Sequence, residues 1–309
     1  MVNRYLRACI LVLLSLSLFL VLSCATATPP TSVSSSFTDQ LGRTVNLEKL
    51  PQRIISLAPS NTEILYAVGL ADRVVAVTKY DNYPPEAKEK PNIGGFSDPN
   101  LEQIVSLSPD LVVAAPIHEK QVIPQLEAKG ITVLALAPKT LDEVMAAITL
   151  VGRVTGTESK ASGVVSGMQQ RIKAVTDKTD KLSASQKPKV LYVVWHDPLM
   201  GSGLETFHDE LIRKAGGINM IVDATGYPSI SLETVVKDNP DVILAGVGMG
   251  QGQDAPLKFA QDEPRLRDVS ARQSNRVYGI DSDLSGRAGP RIVDVLEEFA
   301  RLIQPGLFK

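Results

Sequence analysis

At 309 residues the chain is long enough for two ordinary domains, and its 44% apolar and 21% charged content belongs to a folded chain, which excludes disorder. A formal net charge of −2, with no stretch of five like charges, argues against a nucleic-acid partner, which needs a clustered basic face.

Arg4 and Arg7 precede an apolar run over residues 8–22 that only two serines interrupt. Its length suits a signal-peptide core and falls short of the ~20 residues that cross a membrane. The run ends in Val21-Leu22-Ser23-Cys24, which resembles the lipobox of bacterial lipoproteins, with Cys24 as the lipidated residue. The competing reading is an uncleaved anchor helix. Either one puts the rest of the chain outside the cytoplasmic membrane. Cys9 and Cys24 are the only cysteines, so the folded part is expected to hold no disulfide and no reactive thiolate. Residues 1–23 are read as a signal peptide, whose removal leaves 30 basic against 34 acidic residues. Residues 24–36, rich in Pro, Ser and Thr, are read as the lipidated cysteine and a flexible tether.

A hairpin is expected over 37–47, turning near Asp39-Gln40-Leu41-Gly42-Arg43. Strand and helix patterns then alternate: strand 53–57, helix 61–68 closed by Gly69, strand 74–78, helix 101–107, strand 111–115, helix 121–129 closed by Gly130, and strand 131–135. This βαβ rhythm implies a parallel sheet covered by helices. Between about 140 and 182 the rhythm stops. Thr140 with Glu143, and Thr155 with Glu158, fit the capping-box pattern. After the second, Ala161, Val164, Val165, Met168, Ile172 and Val175 share one helical face. Strand 189–194 restarts the alternation, which runs through 242–245 and 277–280 to a last helix over 291–302. The expected organisation is an N-terminal α/β lobe (37–156), one connecting helix (157–187) and a C-terminal α/β lobe (188–309).

An internal repeat supports two related lobes. Leu101-Glu102-Gln103-Ile104-Val105 and Leu232-Glu233-Thr234-Val235-Val236 each lead, after three residues, into Pro-Asp and an apolar strand. Glu102 and Glu233 therefore occupy matching places, each in the first turn of a helix capped by Asn100 or Ser231. A first-turn carboxylate is stabilised there by about 0.3–1 kcal/mol, which alone accounts for both. The sharper reading makes them two acidic knobs, one per lobe, that dock on a two-fold symmetric membrane partner.

Enzyme signatures are sparse: the chain has no phosphate loop, no nucleophile elbow and no His-Glu-x-x-His. The run 246–252 follows a strand, but its Gly-x-Gly-x-Gly spacing is wrong for a dinucleotide loop, and it is read as a mobile loop. His118, His196 and His208 lack helical ligand spacing, and each is expected as a solvated or loop histidine, so no metal site is expected. The rings are placed more informatively. Tyr80, Phe96, Trp195 and Tyr227 all sit at predicted strand-to-helix junctions, beyond the carboxyl ends of strands where open α/β sheets bind ligands. Rings exposed there suit a large ligand with apolar faces. Packing beneath its own loop is the alternative for each ring.

The opening of the body, Pro51-Gln52-Arg53-Ile54-Ile55-Ser56-Leu57-Ala58-Pro59-Ser60-Asn61-Thr62-Glu63, resembles that of the helical-backbone substrate-binding proteins of ABC importers for vitamin B12, ferric siderophores and haem. Asp81-Asn82-Tyr83-Pro84-Pro85-Glu86-Ala87, Asn100-Leu101-Glu102-Gln103-Ile104 and Gly226-Tyr227-Pro228-Ser229-Ile230-Ser231-Leu232-Glu233 fit as well, so the resemblance covers nearly the whole body. It implies two Rossmann-like lobes joined by one rigid helix, a ligand cleft between them, and a binding role without catalysis or a cofactor. Within the family the cobalamin-binding members match best. The resemblance then implies that Tyr80, Phe96, Trp195 and Tyr227 surround the corrin, with Phe96 and Tyr227 standing where those members carry tryptophan. It makes Asp283 and Arg287, in Asp283-Leu284-Ser285-Gly286-Arg287, contacts to the ligand's amides. It also makes Glu102 and Glu233 the carboxylates that meet arginines of the permease dimer. Met200-Gly201-Ser202-Gly203 departs from the pattern and leaves that rim open. The rival ligands are a ferric siderophore, favoured by an Arg-rich pocket, and haem, favoured by a Tyr or His on iron. A rival of another class is a metal chelatase-like enzyme using His196 or His208.

Overall fold

The computed structural model describes residues 35–248 and 254–308. The expected signal segment, Cys24 and most of the tether lie outside them. The first described segment pairs β1 (Ser35–Thr38) antiparallel with β2 (Thr44–Leu47), Phe37 opposite Val45. Ser35 and Ser36, expected in the tether, belong to this ladder, because backbone pairing needs no apolar side chain. Asp39 makes the turn and also docks it. Its buried carboxylate accepts the backbone N–H of Leu41 (3.0 Å), Arg43 (2.8 Å) and Ala135 (3.1 Å). Ala135 lies on an edge strand of the first sheet, which the hairpin thereby covers.

The N-terminal lobe follows in the expected order: β3 (Ile54–Ser56), α1 (Pro59–Ala67), β4 (Val74–Ala76), α2 (Leu101–Ser106), β5 (Leu111–Ala114), α3 (Val122–Glu127) and β6 (Val133–Ala135). Its sheet runs β4-β3-β5-β6, all parallel. Every residue of β3, β5 and β6 is buried, as a strand covered on both faces requires. Two helices come next, α4 (Leu141–Thr155) and α5 (Glu158–Thr179). The C-terminal lobe comprises β7 (Lys189–His196), β8 (Leu199–Gly201), α6 (Phe207–Lys214), β9 (Ile218–Asn219), α7 (Leu232–Asp238), β10 (Val242–Val247), α8 (Ala255–Asp262), α9 (Ser270–Gln273), β11 (Val277–Asp281), α10 (Ser282–Ser285) and α11 (Ile292–Ile303). Its strands are ordered β11-β10-β7-β8, with β9 also on β7, and only the β7–β8 pair is antiparallel.

The repeat is structural. Asn100 and Ser231 cap α2 and α7 by accepting from the N–H of Gln103 and Thr234. Beyond each helix, the Pro-Asp aspartate exchanges bonds with the start of the neighbouring strand. Asp110 N–H donates to Arg53 O (3.0 Å) while its carboxylate accepts from the N–H of Gln52 and Arg53. Asp241 N–H donates to Lys189 O (2.9 Å) while its carboxylate accepts from Lys189 N–H. The same residue thus fixes the parallel register in both lobes.

Four expectations are corrected. Thr155 does not cap α5. It is the last residue of α4, and its hydroxyl donates back to Val151 O (2.7 Å). Gly156 then breaks the helix at φ +70°, a conformation that costs a side-chain-bearing residue about 1–2 kcal/mol. The connector is shorter than 157–187, since α5 ends at Thr179, and it is not a lone rod. One apolar core runs continuously from Ile54 and Leu65 through Val151, Ala161 and Met168 to Tyr192, Leu244 and Phe299. Arg171 of α5 is held by Glu297 (2.7 and 2.8 Å) and Asp294 (2.6 Å) of α11. The third correction is to the strand ending at Val194, which continues through His196 and folds back at Asp197-Pro198 into β8. Finally, Gly246 and Val247, assigned to a mobile loop, are strand, and the remainder of that run from 249 lies outside the described residues.

Candidate ligand-binding cleft

The carboxyl edges of the two sheets meet at one polar clasp. α1 follows β3 and begins with Pro59, and its Glu63 is almost fully buried. Arg291 grips Glu63 with two bonds, Nε to Oε2 at 2.9 Å and Nη2 to Oε1 at 2.6 Å, and Arg287 adds a third at 3.3 Å. Arg287 also donates to Asn82 Oδ1 (2.6 Å) and Tyr80 O (3.3 Å), and Asn82 donates to Asp283 (2.8 Å). The Arg291 guanidinium lies 3.7 Å from the centroid of the Tyr83 ring. A Cβ on Gly289 would come within 3.2 Å of Glu63 Oε2, so any larger residue there would crowd the buried carboxylate. Burial disfavours the Arg291 charge, but Glu63 outweighs it and holds the guanidinium above its ordinary pKa.

Three of the four rings lie on loops beyond strand ends and Trp195 lies within the carboxyl end of β7, two rings per lobe. Tyr80 follows β4, with 53% of its surface exposed and Lys79 Nζ 5.0 Å from its ring. Its turn is set by Asp81, whose Oδ2 accepts from Thr78 N (2.9 Å) and Oγ1 (2.5 Å); burial pushes that carboxyl up against the hydrogen bonds from Thr62 and Thr78. Phe96 is half-buried, edge-on to His118 at 5.5 Å. Trp195, next to last in β7, is half-buried beside His196, its indole N–H donating to Asp197 O (2.9 Å). Tyr227, 47% exposed, sits on a loop bonded to β8, where Gly201 N–H donates to Pro228 O, and points its edge at His208.

Asp283 and Arg287, expected as ligand contacts, lie in this clasp, where their polar atoms engage Asn82 and Glu63 of the opposite lobe. Of the three histidines expected to be solvated or on loops, two are buried. His118 is fully buried, and Ala115 N–H donates to its Nδ1 (2.9 Å). The proton must then reside on Nε2, which donates to Phe96 O at 2.6 Å and fixes the loop carrying that ring. Burial lowers its pKa against these bonds. His208, on α6, stacks on Tyr192 at 3.8 Å, and burial pushes its pKa down to about 4. Sequence reasoning also missed Glu63, Asn82 and Arg291. The one signal was an acid set directly before the apolar pair Ile64-Leu65.

Away from the cleft, Glu102 and Glu233 stand exposed on the first turns of α2 and α7. The residue's own backbone N–H, and after it the Ser231 hydroxyl, hold the Glu233 carboxyl below its usual range. Val105 and Val236, at matching places one turn on, are exposed too (36% and 45%). Among the described residues no cluster of three or more His, Cys, Asp or Glu could hold a metal ion.

Residues 54–284 match the family described as periplasmic binding protein. The chain is a periplasmic binding protein. It is 36% identical over 279 residues, 88% of this chain and 86% of the other, to an uncharacterized ABC transporter substrate-binding lipoprotein, YvrC, of Bacillus subtilis. It is 29% identical to a vitamin B12-binding protein of Vibrio cholerae over 80% of this chain and 87% of that one. The crystal structure of a periplasmic vitamin B12-binding protein of that species superposes with a TM-score of 0.70 at 27% identity, over 84% of this chain and 99% of the other. A periplasmic heme-binding protein of Roseiflexus gives 0.71 at 28%, covering 82% and 99%. The binding protein thus has the two-lobed α/β architecture of its relatives, and it is an extracytoplasmic component that carries a small molecule to an ABC permease. The chelatase alternative falls with this assignment, since the family binds substrates and does not convert them.

Proposed function

We propose that this binding protein captures a corrinoid, cobalamin being the type, between its lobes and delivers it to the permease without a cofactor of its own. The observation that carries the reading is the exposure of Tyr80 and Tyr227 at 53% and 47%, one per lobe, on carboxyl-edge loops, with Phe96 on a further such loop and Trp195 at the carboxyl end of β7. Large rings left in water at such edges suit a ligand with broad apolar faces. Likeness in sequence and fold to the vitamin B12-binding protein of V. cholerae supports the same ligand class.

Asp283 and Arg287 differ in what they can offer the ligand's polar rim. The Asp283 side chain is 51% exposed, whereas that of Arg287 is 10% exposed and occupied by Glu63 and Asn82. Asp283 is thus the direct contact, and Arg287 positions it. Glu102 and Glu233 are the proposed docking carboxylates, and Cys24 the proposed lipid attachment.

Haem is the second reading, favoured by the likeness to the Roseiflexus protein. It needs a side chain on iron, for which the exposed Tyr80 and Tyr227 hydroxyls are candidates. Calorimetric titration separates the two. Cyanocobalamin should bind one to one with a submicromolar Kd and hemin more weakly. Saturation by hemin alone, with no heat from micromolar cyanocobalamin, would replace the corrinoid by haem.

A further inference from the structure

Ile117 is out of place for an aliphatic side chain. It is 54% exposed, as much as Tyr80, on the loop that leaves the carboxyl end of β5. A lone exposed aliphatic residue on an unconstrained surface loop needs no explanation. This one stands on a loop fixed from three directions, so its exposure is built in.

The base of the loop is fixed first. Ala114 O, at the end of β5, accepts from Leu136 N–H (3.0 Å) and from Asn61 Nδ2 (3.0 Å) of α1, the helix whose Glu63 forms the clasp. The loop then closes into a single 3₁₀ turn, Pro116–His118, in which His118 N–H donates to Ala115 O (3.0 Å) and Glu119 N–H to Pro116 O (3.1 Å). The third tie is the buried His118 ring, bonded to Ala115 N–H on one side and to Phe96 O on the other. The loops carrying Ile117 and Phe96 thus form one unit, with the imidazole as the pin between them. His118 is turned into the lobe and Ile117 out of it. Because β5 is an inner strand, flanked by β3 and β6, Ile117 rises from the middle of the sheet's carboxyl edge, where open α/β sheets bind ligands.

We propose that Ile117 is a ligand-contact residue, the aliphatic part of a wall that the N-terminal lobe presents to an apolar face of the ligand. A β-branched side chain is stiff about χ1, and its loop is already ordered, so burying it against a ligand costs little conformational entropy. It offers carbon alone, and the imidazole behind it has both nitrogens engaged, so this part of the wall gives a metal nothing to bind. It suits a flat face of ring carbon better than an open coordination position. The inference deepens the corrinoid reading and rests on it for the identity of the ligand.

Leu50 supplies the control. It is 52% exposed but precedes β3, at the amino edge of the same sheet. The full chain and three variants are titrated calorimetrically with cyanocobalamin, and their melting temperatures are recorded. Ile117→Ala should weaken binding about fivefold and Ile117→Asp at least about tenfold, since the first removes buried carbon and the second puts a charge against an apolar face. Leu50→Asp should stay within about twofold, and all melting temperatures should lie within a few degrees of the parent. Parent-like affinity in both Ile117 variants, or equal weakening by Leu50→Asp, overturns the contact. If the parent gives no heat with cyanocobalamin, the corrinoid reading falls and hemin replaces it as the probe. The contact then stands only if Ile117→Asp weakens hemin binding and Leu50→Asp does not. A chain that takes up neither compound overturns both.

Discussion

At the scale of single residues, the histidines give the molecule its acid sensitivity. The His208 pKa is about 4 against an ordinary 6.5. Between those values the unfolded chain takes up a proton that the folded chain refuses. Stability is therefore complete above about pH 6.5 and is lost as pH falls toward 4, by roughly 3 kcal/mol at ~1.36 kcal/mol per unit. Burial shifts His118 in the same direction. Urea midpoints should fall between pH 7 and pH 4, and the slope should be visibly shallower in His208→Leu; parallel curves for the two proteins would contradict this. The sequence points to solvated or loop histidines because spacing reports ligand sets, not burial. His118 is enclosed by a turn that its own Nδ1 closes, and that contact has no periodic signature.

At the scale of elements, legibility was high wherever a pattern repeats. α2 and α7 were visible with their caps because cap, first-turn acid, apolar positions and Pro-Asp recur at equal spacing. Their structural purpose, fixing parallel register through Asp110 and Asp241, became visible only with the strands beside them. Thr155 misled because a Thr-x-x-Glu pattern carries no information about whether the threonine hydroxyl is already bonded to the preceding turn. The matched helices present Glu102 and Glu233 in water, each with an exposed valine one turn on. Changing both acids to alanine should leave cyanocobalamin affinity unaltered while reducing stimulation of the cognate permease's ATPase at least tenfold. Undiminished stimulation would remove the docking role and leave ordinary first-turn carboxylates.

At the scale of the whole molecule, a shared apolar core and one polar clasp hold the lobes together. The core favours small closure on binding over wide hinge motion. The clasp could not be read in advance, since Glu63 meets its arginines across 224 and 228 residues of sequence and no periodicity links them. Removing Glu63 would leave two arginines without their buried partner. Glu63→Ala should lower unfolding free energy by about 3 kcal/mol and raise the radius of gyration seen by small-angle scattering. An unchanged radius with unchanged stability would show that the clasp does not hold the lobes.

The proposed ligand would lie against the cleft rings, and the chain carries one tryptophan, Trp195, so its intrinsic indole emission reports from that position alone. Adding cyanocobalamin should quench this emission saturably at one equivalent, and Tyr227→Ala should shift the midpoint at least tenfold. Emission that declines only as inner-filter absorption requires, with no saturation, would contradict the account.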